Sequence, residues 1–283
     1  MAELLKGAPV AAALDEKTRE AVHLLKIRGV RPTLGILRVG ERPDDTAYES
    51  AAVRRCEKLG IEVRRVSLPE NVKQGALLAQ IARLNSDDNV HGVLMFRPLP
   101  VQLDEEEACA ALMTSKDLDG VTPGSAALLY TGAPGGFAPC TAEAVIALLE
   151  HYGVPLEGRR AVVVGRSLVI GKPVAMLLLE KNATVTVCHS RTRALPELTR
   201  RADIVVAALG RAESLTADCF APGQTVVDVG INYSEERGKL VGDVDFDAVS
   251  GLVGAITPVP AGVGAVTTAV LAKHVVRAAG GML

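Results

Sequence analysis

Tryptophan is absent from this 283-residue chain, and aromatic residues make up only 3% of it. With so few flat side chains, a surface on which nucleic-acid bases stack is not expected. Charge of one sign is lacking too: the net charge is −2, and no basic stripe stands out. No nucleic-acid partner is expected. The five cysteines (Cys56, Cys109, Cys140, Cys188, Cys219) include no C-x-x-C pair. Disulfides and zinc are therefore not expected, and a reducing cytoplasm suits the chain best. The histidines form no H-E-x-x-H or similar cluster, so no metal site is expected. Charges interrupt the N-terminal residues, which leaves no signal-peptide core. The long uncharged stretch 249–272 contains Pro258, Pro260 and several glycines. These would break a spanning helix, so a buried strand, loop and helix is expected there and no membrane partner.

Against these absences stands an apolar content of 48% with alternating strand and helix patterns. The class is α/β with parallel sheets, in two domains with a cleft between them. Helical spacing covers 11–26, 45–59, 76–84 and 142–152, the last with Thr141 as N-cap. Strands are expected at 33–39, 61–66, 90–95, 161–164, 184–187, 204–207 and 225–229. The glycine-rich run 130–136 marks the domain boundary.

The most informative segment runs from Val163 to Pro173, Val-Val-Gly-Arg-Ser-Leu-Val-Ile-Gly-Lys-Pro. An apolar strand precedes it and a good helix former follows. Gly165, Ser167 and Gly171 let the backbone turn sharply, while the helix start offers unpaired N–H groups suited to phosphate. This is a strand–loop–helix nucleotide site, although its spacing is not G-x-G-x-x-G. An ordinary tight turn before a helix has the same look. About twenty residues on, where an NAD site carries a carboxylate for the ribose 2′-hydroxyl, stand Ser190 and Arg191. With Arg166 in the loop itself, two guanidinium groups and a hydroxyl favour a 2′-phosphate, hence NADP. His189 is placed to line the cofactor site; the other histidines read as structural or surface residues.

Several motifs in order resemble the methylenetetrahydrofolate dehydrogenase/cyclohydrolase family. They are Lys116-Asp-Leu-Asp-Gly120, Pro139-Cys-Thr141, Gly165 to Pro173, Cys188-His-Ser-Arg-Thr192, Val227 to Asn232, Gly242-Asp-Val244 and Thr257 to Gly264. The resemblance implies a folate-binding catalytic domain over 1–138 with a returning C-terminal helix over 265–283. It implies a Rossmann-like NADP-binding domain over 139–264 and pairing as a homodimer. Gly165, Arg166, Ser167, Ser190, Arg191 and Ile231 would hold NADP. Asp119 would hydrogen-bond the pterin, and Tyr48 would line the folate pocket. The loop 258–264 would border the meeting place of nicotinamide and folate. The implied substrates are one-carbon derivatives of tetrahydrofolate.

The chain also departs from that family. A Tyr followed four residues later by an acid–base Lys is the usual signature, but Ala52 stands where the Lys is expected after Tyr48. Phe96 replaces the expected Gln, and Ala261 and Ala265 replace a Gly and a Pro in the last loop. Of possible substitutes, Glu49, Arg55 and Arg97 read as solvated charges, with Arg97 as a supporting cation the lesser alternative. The expectation is an NADP-dependent dehydrogenase whose cyclohydrolase step is weak or lost. The alternatives are a fully bifunctional enzyme and a non-catalytic folate- or nucleotide-binding paralogue.

Overall fold

The computed structural model describes residues 1–282. In chain order the strands are β1 (Glu3–Leu4), β2 (Thr33–Val39), β3 (Glu62–Leu68), β4 (Gly92–Met95), β5 (Arg160–Val164), β6 (Thr184–Cys188), β7 (Ile204–Ala207), β8 (Thr225–Asp228), β9 (Asn232–Ser234), β10 (Lys239–Val241) and β11 (Ala255–Ile256). The helices are α1 (Gly7–Ile27), α2 (Pro43–Leu59), α3 (Gln74–Ser86), α4 (Glu105–Ala111), α5 (Pro123–Thr131), α6 (Cys140–His151), α7 (Gly171–Glu180), α8 (Leu195–Thr199), α9 (Phe246–Val249) and α10 (Thr267–Ala278).

Two compact units share these elements. One comprises Ala13–Cys140 and the C-terminal segment from Thr268; the other comprises Met1–Ala12 and Thr141–Thr267. The first twelve residues differ from expectation, because β1 pairs in parallel with β11 and so joins the second unit's sheet. A strand this short carries no readable period of its own, so only its partner fixes its place. The glycine-rich run is not the crossing point either. Its beginning is the end of α5, closed by Gly132 in the left-handed conformation, and the chain changes unit after Cys140.

In the first unit β2 is the centre of a three-stranded parallel sheet, order β3-β2-β4. Every residue of β2 is buried, as a central parallel strand covered on both faces requires. Leu37, Val39, Val93 and Met95 pack one face onto Leu77, Ile81 and Leu84 of α3 and Ala108 and Cys109 of α4. Pro43 fits the start of α2, Asp44 and Asp45 favour its positive end, and Gly60 ends it at φ 78°.

The second unit is built on a six-stranded sheet, order β1-β11-β8-β7-β5-β6, with every strand pair parallel. From β5 the chain steps outward to the edge strand β6 and then returns past β5 to β7. That reversal opens a crevice at the carboxyl ends of β5 and β7, where open α/β sheets bind ligands. Valines of β5, β7 and β8 form the core with Leu215, Phe220, Val244 and Ile256. The uncharged stretch 249–272 becomes the end of α9, β11, a loop and the start of α10. No helix of the described residues is long and apolar enough to cross a membrane.

Candidate active site

In the second unit, Gly165 follows β5 directly and has φ +138°, a conformation that L side chains rarely adopt. A Cβ there would lie 2.1 Å from Ala208 O, and one on Gly171 would lie 2.3 Å from Gly165 O. The crevice between β5 and β7 is therefore walled by bare backbone, and the first turn of α7 sits on it. Ser167 Oγ accepts from Ile170 N at 3.1 Å and Gly171 N at 3.3 Å. The hydroxyl caps α7 and retains its own hydrogen to donate.

Val164 pairs with Cys188 in the parallel register, so the residues after β5 and β6 emerge side by side. Gly165 N donates to Cys188 O at 2.9 Å and fastens the two ends. Beyond Cys188 a tight turn forms. His189 N donates to Thr192 Oγ1 at 2.9 Å, and Arg191 N donates to His189 Nδ1 at 3.2 Å. His189 thereby shapes the turn that presents Ser190 and Arg191. Arg166, Ser190 and Arg191 are all exposed, and among the described residues neither guanidinium has an acidic partner. Lys172 is exposed at the helix start.

A cleft of ≈ 270 Å³ lies further along the same sheet edge, lined by 228–231, Leu240 and the loop 258–265. Ile231 is exposed at its rim. Two buried aspartates lace this region together. Asp228 accepts from Gly230 N, Asp243 N and Val244 N at 2.9–3.0 Å. Burial pushes its carboxyl up to about 6, against the pull of those three N–H groups and with a push from Asp243. Asp243 accepts from Gly210 N at 3.0 Å, Arg211 N at 2.8 Å and Asn232 Nδ2 at 3.0 Å. The motifs 227–232 and 242–244 are thus the struts of the cleft wall. Ala261 in the loop has φ +82°.

In the first unit, Tyr48 is half-buried and meets Phe96 edge-on, ring centroids 6.0 Å apart and planes at 77°. Ala52, one helical turn beyond Tyr48, is only 1% exposed. Arg42 holds both oxygens of Asp45, at 2.9 and 2.8 Å, and donates to Arg97 O at 3.1 Å. That clamp ties the start of α2 to the segment carrying Phe96.

The three charges expected to be solvated are not. Glu49 is buried and accepts from Arg38 Nε at 2.6 Å, with Arg65 Nε at 3.7 Å. Arg55 grips both oxygens of Asp15 at 2.7 Å and donates to Thr268 Oγ1 at 2.9 Å. Arg97 lies 3.5 Å from Glu105 Oε1. Sequence spacing located Glu49 and Arg55 on a helix and Arg97 after a strand, but not the partner that reaches each from another element. One signal was legible: an arginine inside the apolar run Leu34-Gly-Ile-Leu-Arg-Val39 must be paired if that run is a buried strand.

Asp119 lies beyond the bridge between Val93 and Asp117, which carries it alongside the end of β4. Its Oδ1 accepts from Cys140 N at 2.8 Å. Asp119, rather than Thr141, therefore caps α6, whose first residue is Cys140. Burial pushes the Asp119 carboxyl above the usual carboxylate range, while the Cys140 N–H and the charge of Arg97 pull it back. Among the described residues no group of three or more His, Cys, Asp or Glu is placed to hold a metal ion.

Two family descriptions fit these two regions. Residues 5–119 match the tetrahydrofolate dehydrogenase/cyclohydrolase catalytic domain, and residues 139–282 match the NAD(P)-binding domain of the same family. The bifunctional protein FolD of Carboxydothermus hydrogenoformans is 50% identical over 279 residues, 98% of this chain and 97% of the relative. That of Alkaliphilus oremlandii is 49% identical, covering 98% of this chain and 97% of the relative. Among solved structures, bifunctional FolD from Campylobacter jejuni superposes with a TM-score of 0.95 at 41% identity, covering 99% of each chain. FolD from Trypanosoma brucei, solved with NADP cofactor and inhibitor, gives 0.92 at 36% identity, covering 99% of this chain and 97% of that one. The chain belongs to the tetrahydrofolate dehydrogenase/cyclohydrolase family of enzymes.

Proposed function

We propose that this protein oxidises 5,10-methylenetetrahydrofolate to 5,10-methenyltetrahydrofolate with NADP, and that the hydrolytic step to 10-formyltetrahydrofolate is weak or lost. The observation that carries this reading is Ala52. A buried methyl group occupies the helical position at which the family's signature has an acid–base lysine.

The cofactor half rests on the second unit. The bare-backbone crevice of Gly165 and Gly171 leaves room for a close-lying phosphate at the positive end of α7, and the Ser167 hydroxyl keeps a hydrogen to donate to it. Arg166, Ser190 and Arg191 fit the 2′-phosphate, and no carboxylate in the 188–192 turn would repel it. Ile231 and the loop 258–265 would flank the nicotinamide. NADP, when bound, supplies the hydride acceptor.

In the first unit Asp119 would hold the pterin ring by hydrogen bonding, and Tyr48 with Phe96 would line the pocket. Hydride loss from the methylene carbon asks these residues only to orient the donor; no proton is moved. Water addition to the methenyl cation is different, because it needs a proton acceptor near the bridge carbon. Ala52 offers none. Glu49, Arg55 and Arg97 are each engaged in an ion pair, so none is available without breaking it. Methenyl product would accumulate. The fully bifunctional reading is favoured by the naming of the relatives at 44–50% identity as bifunctional proteins. It requires an acid–base group other than the usual one.

Changing Ala52→Lys and Phe96→Gln together distinguishes the two. General acid–base catalysis contributes about 10²–10⁴-fold. The double variant should therefore hydrolyse methenyltetrahydrofolate at least about tenfold faster than the native protein, at unchanged dehydrogenase KM for NADP. No gain, with folate binding intact, would favour the bifunctional reading. The five cysteines are free and buried, which agrees with a reducing cytoplasm. We extend the proposal to a homodimer, on the family resemblance.

A further inference from the structure

Among the buried groups that the proposed chemistry does not use, His274 has the most specific surroundings. It lies on α10, in the same unit as Asp119, and is fully buried. Its Nδ1 is 2.8 Å from the carbonyl oxygen of Leu118, the residue immediately before Asp119. A carbonyl oxygen only accepts, so Nδ1 carries a hydrogen and donates it.

Cys140 closes the arrangement. Its Sγ donates to the same Leu118 oxygen at 3.4 Å and lies 3.7 Å from His274 Nδ1. Its backbone N–H donates to Asp119 Oδ1 at 2.8 Å. One imidazole therefore contacts both the peptide that leads into Asp119 and the residue that holds the Asp119 carboxylate. The ring is itself fixed. Phe137 packs on it at 4.9 Å between centroids, and Arg277, one turn further along α10, lies 5.1 Å from the Phe137 ring centre. On the far side Gly120 takes φ +62°, and a Cβ there would lie 2.8 Å from Pro139 N. The backbone of the turn 118–120 is thus closely packed against 137–139.

We propose that His274 is a positioning residue for Asp119: through the Leu118 carbonyl and Cys140 it sets the direction in which the carboxylate meets the pterin. The proposal rests on the reading of Asp119 as the pterin ligand. A buried hydrogen bond to the peptide before a binding residue fixes that peptide's plane, and with it the backbone from which the side chain springs. Misplacement by about 1 Å from a change remote from the chemistry can cost about 10²-fold in rate, and loss of the oriented hydrogen bond that prevents it weakens ground-state binding as well.

The test compares His274→Asn with His274→Gln in the full-length protein. The Asn amide nitrogen replaces Nδ1, one bond from Cγ; the Gln amide nitrogen reaches instead to the place of Nε2. His274→Asn should keep the KM for methylenetetrahydrofolate within about twofold of native, whereas His274→Gln should raise it about tenfold. In both variants the Kd for NADP and the unfolding midpoint should agree with each other. Equal folate KM values for the two would overturn the proposal, because a ring that only fills space or anchors α10 does not distinguish where the donor lies. Asp119→Asn, run in parallel, separates the two layers. An unchanged folate KM in that variant refutes the reading of Asp119 itself. A raised KM there with no difference between the His274 variants refutes the positioning role alone.

Discussion

Ala261 shows how much one side chain carries in this molecule. Its φ of +82° is a conformation that glycine adopts freely and that costs other residues about 1–3 kcal/mol. The family pattern has glycine at this position. The alanine carbonyl accepts from Gly7 N at 2.8 Å, so the loop is pinned from within its own unit and cannot relax away. Ala261→Gly should therefore raise stability by about 1 kcal/mol, after allowing for the greater freedom of glycine in the unfolded chain. Equilibrium denaturation checks this, and a loss of stability would mean that the loop has adapted to the methyl group. Glu49 makes the complementary point. Its charge was legible in the sequence, but its burial against Arg38 depends on β2 and α2 being packed, which residue spacing within one helix does not report.

At the scale of elements, the turn after β6 is where the proposed cofactor choice resides. It is held by His189 and Thr192, so Ser190 and Arg191 are displayed rather than packed. Replacing Arg191 with Ala should leave the fold unchanged and raise the KM for NADP about 10–100-fold, as loss of a charge-assisted hydrogen bond to phosphate implies. The KM for NAD should change little. Steady-state kinetics with both nucleotides decide it, and an equal loss for both would place Arg191 outside the 2′-phosphate site. Elements of this kind were the most legible in the sequence. Strand β2 lies at 33–39 as the apolar run indicates, and β5 to β8 fall within a residue or so of their apolar runs. What spacing could not reveal were contacts made across the chain. Asp119 caps α6 from twenty-one residues away, and Thr141, a good capping residue by type, lies inside the helix instead. The two-residue strands β1 and β11 exist only because each supplies the other's partner, with β8 beyond.

For the whole molecule, the two units carry different amounts of information about function. The second has a bare-backbone crevice, a helix start, displayed arginines and a laced cleft wall, which suit a 2′-phosphorylated dinucleotide. The first retains Tyr48 and Asp119 but has an alanine and a phenylalanine where the family's acid–base lysine and glutamine are expected, and the charges around them are already paired. On the proposed reading, nucleotide chemistry is kept while the means of moving a proton is reduced. The measurement that tests this most directly follows two signals at once with purified protein, NADP and 5,10-methylenetetrahydrofolate: formation of NADPH and the absorbance of methenyltetrahydrofolate. The account predicts NADPH formation with methenyl product that accumulates and decays no faster than in buffer. NADPH formation with methenyl decay well above the buffer rate would contradict it, and would show that a group other than a lysine at position 52 performs the hydrolysis.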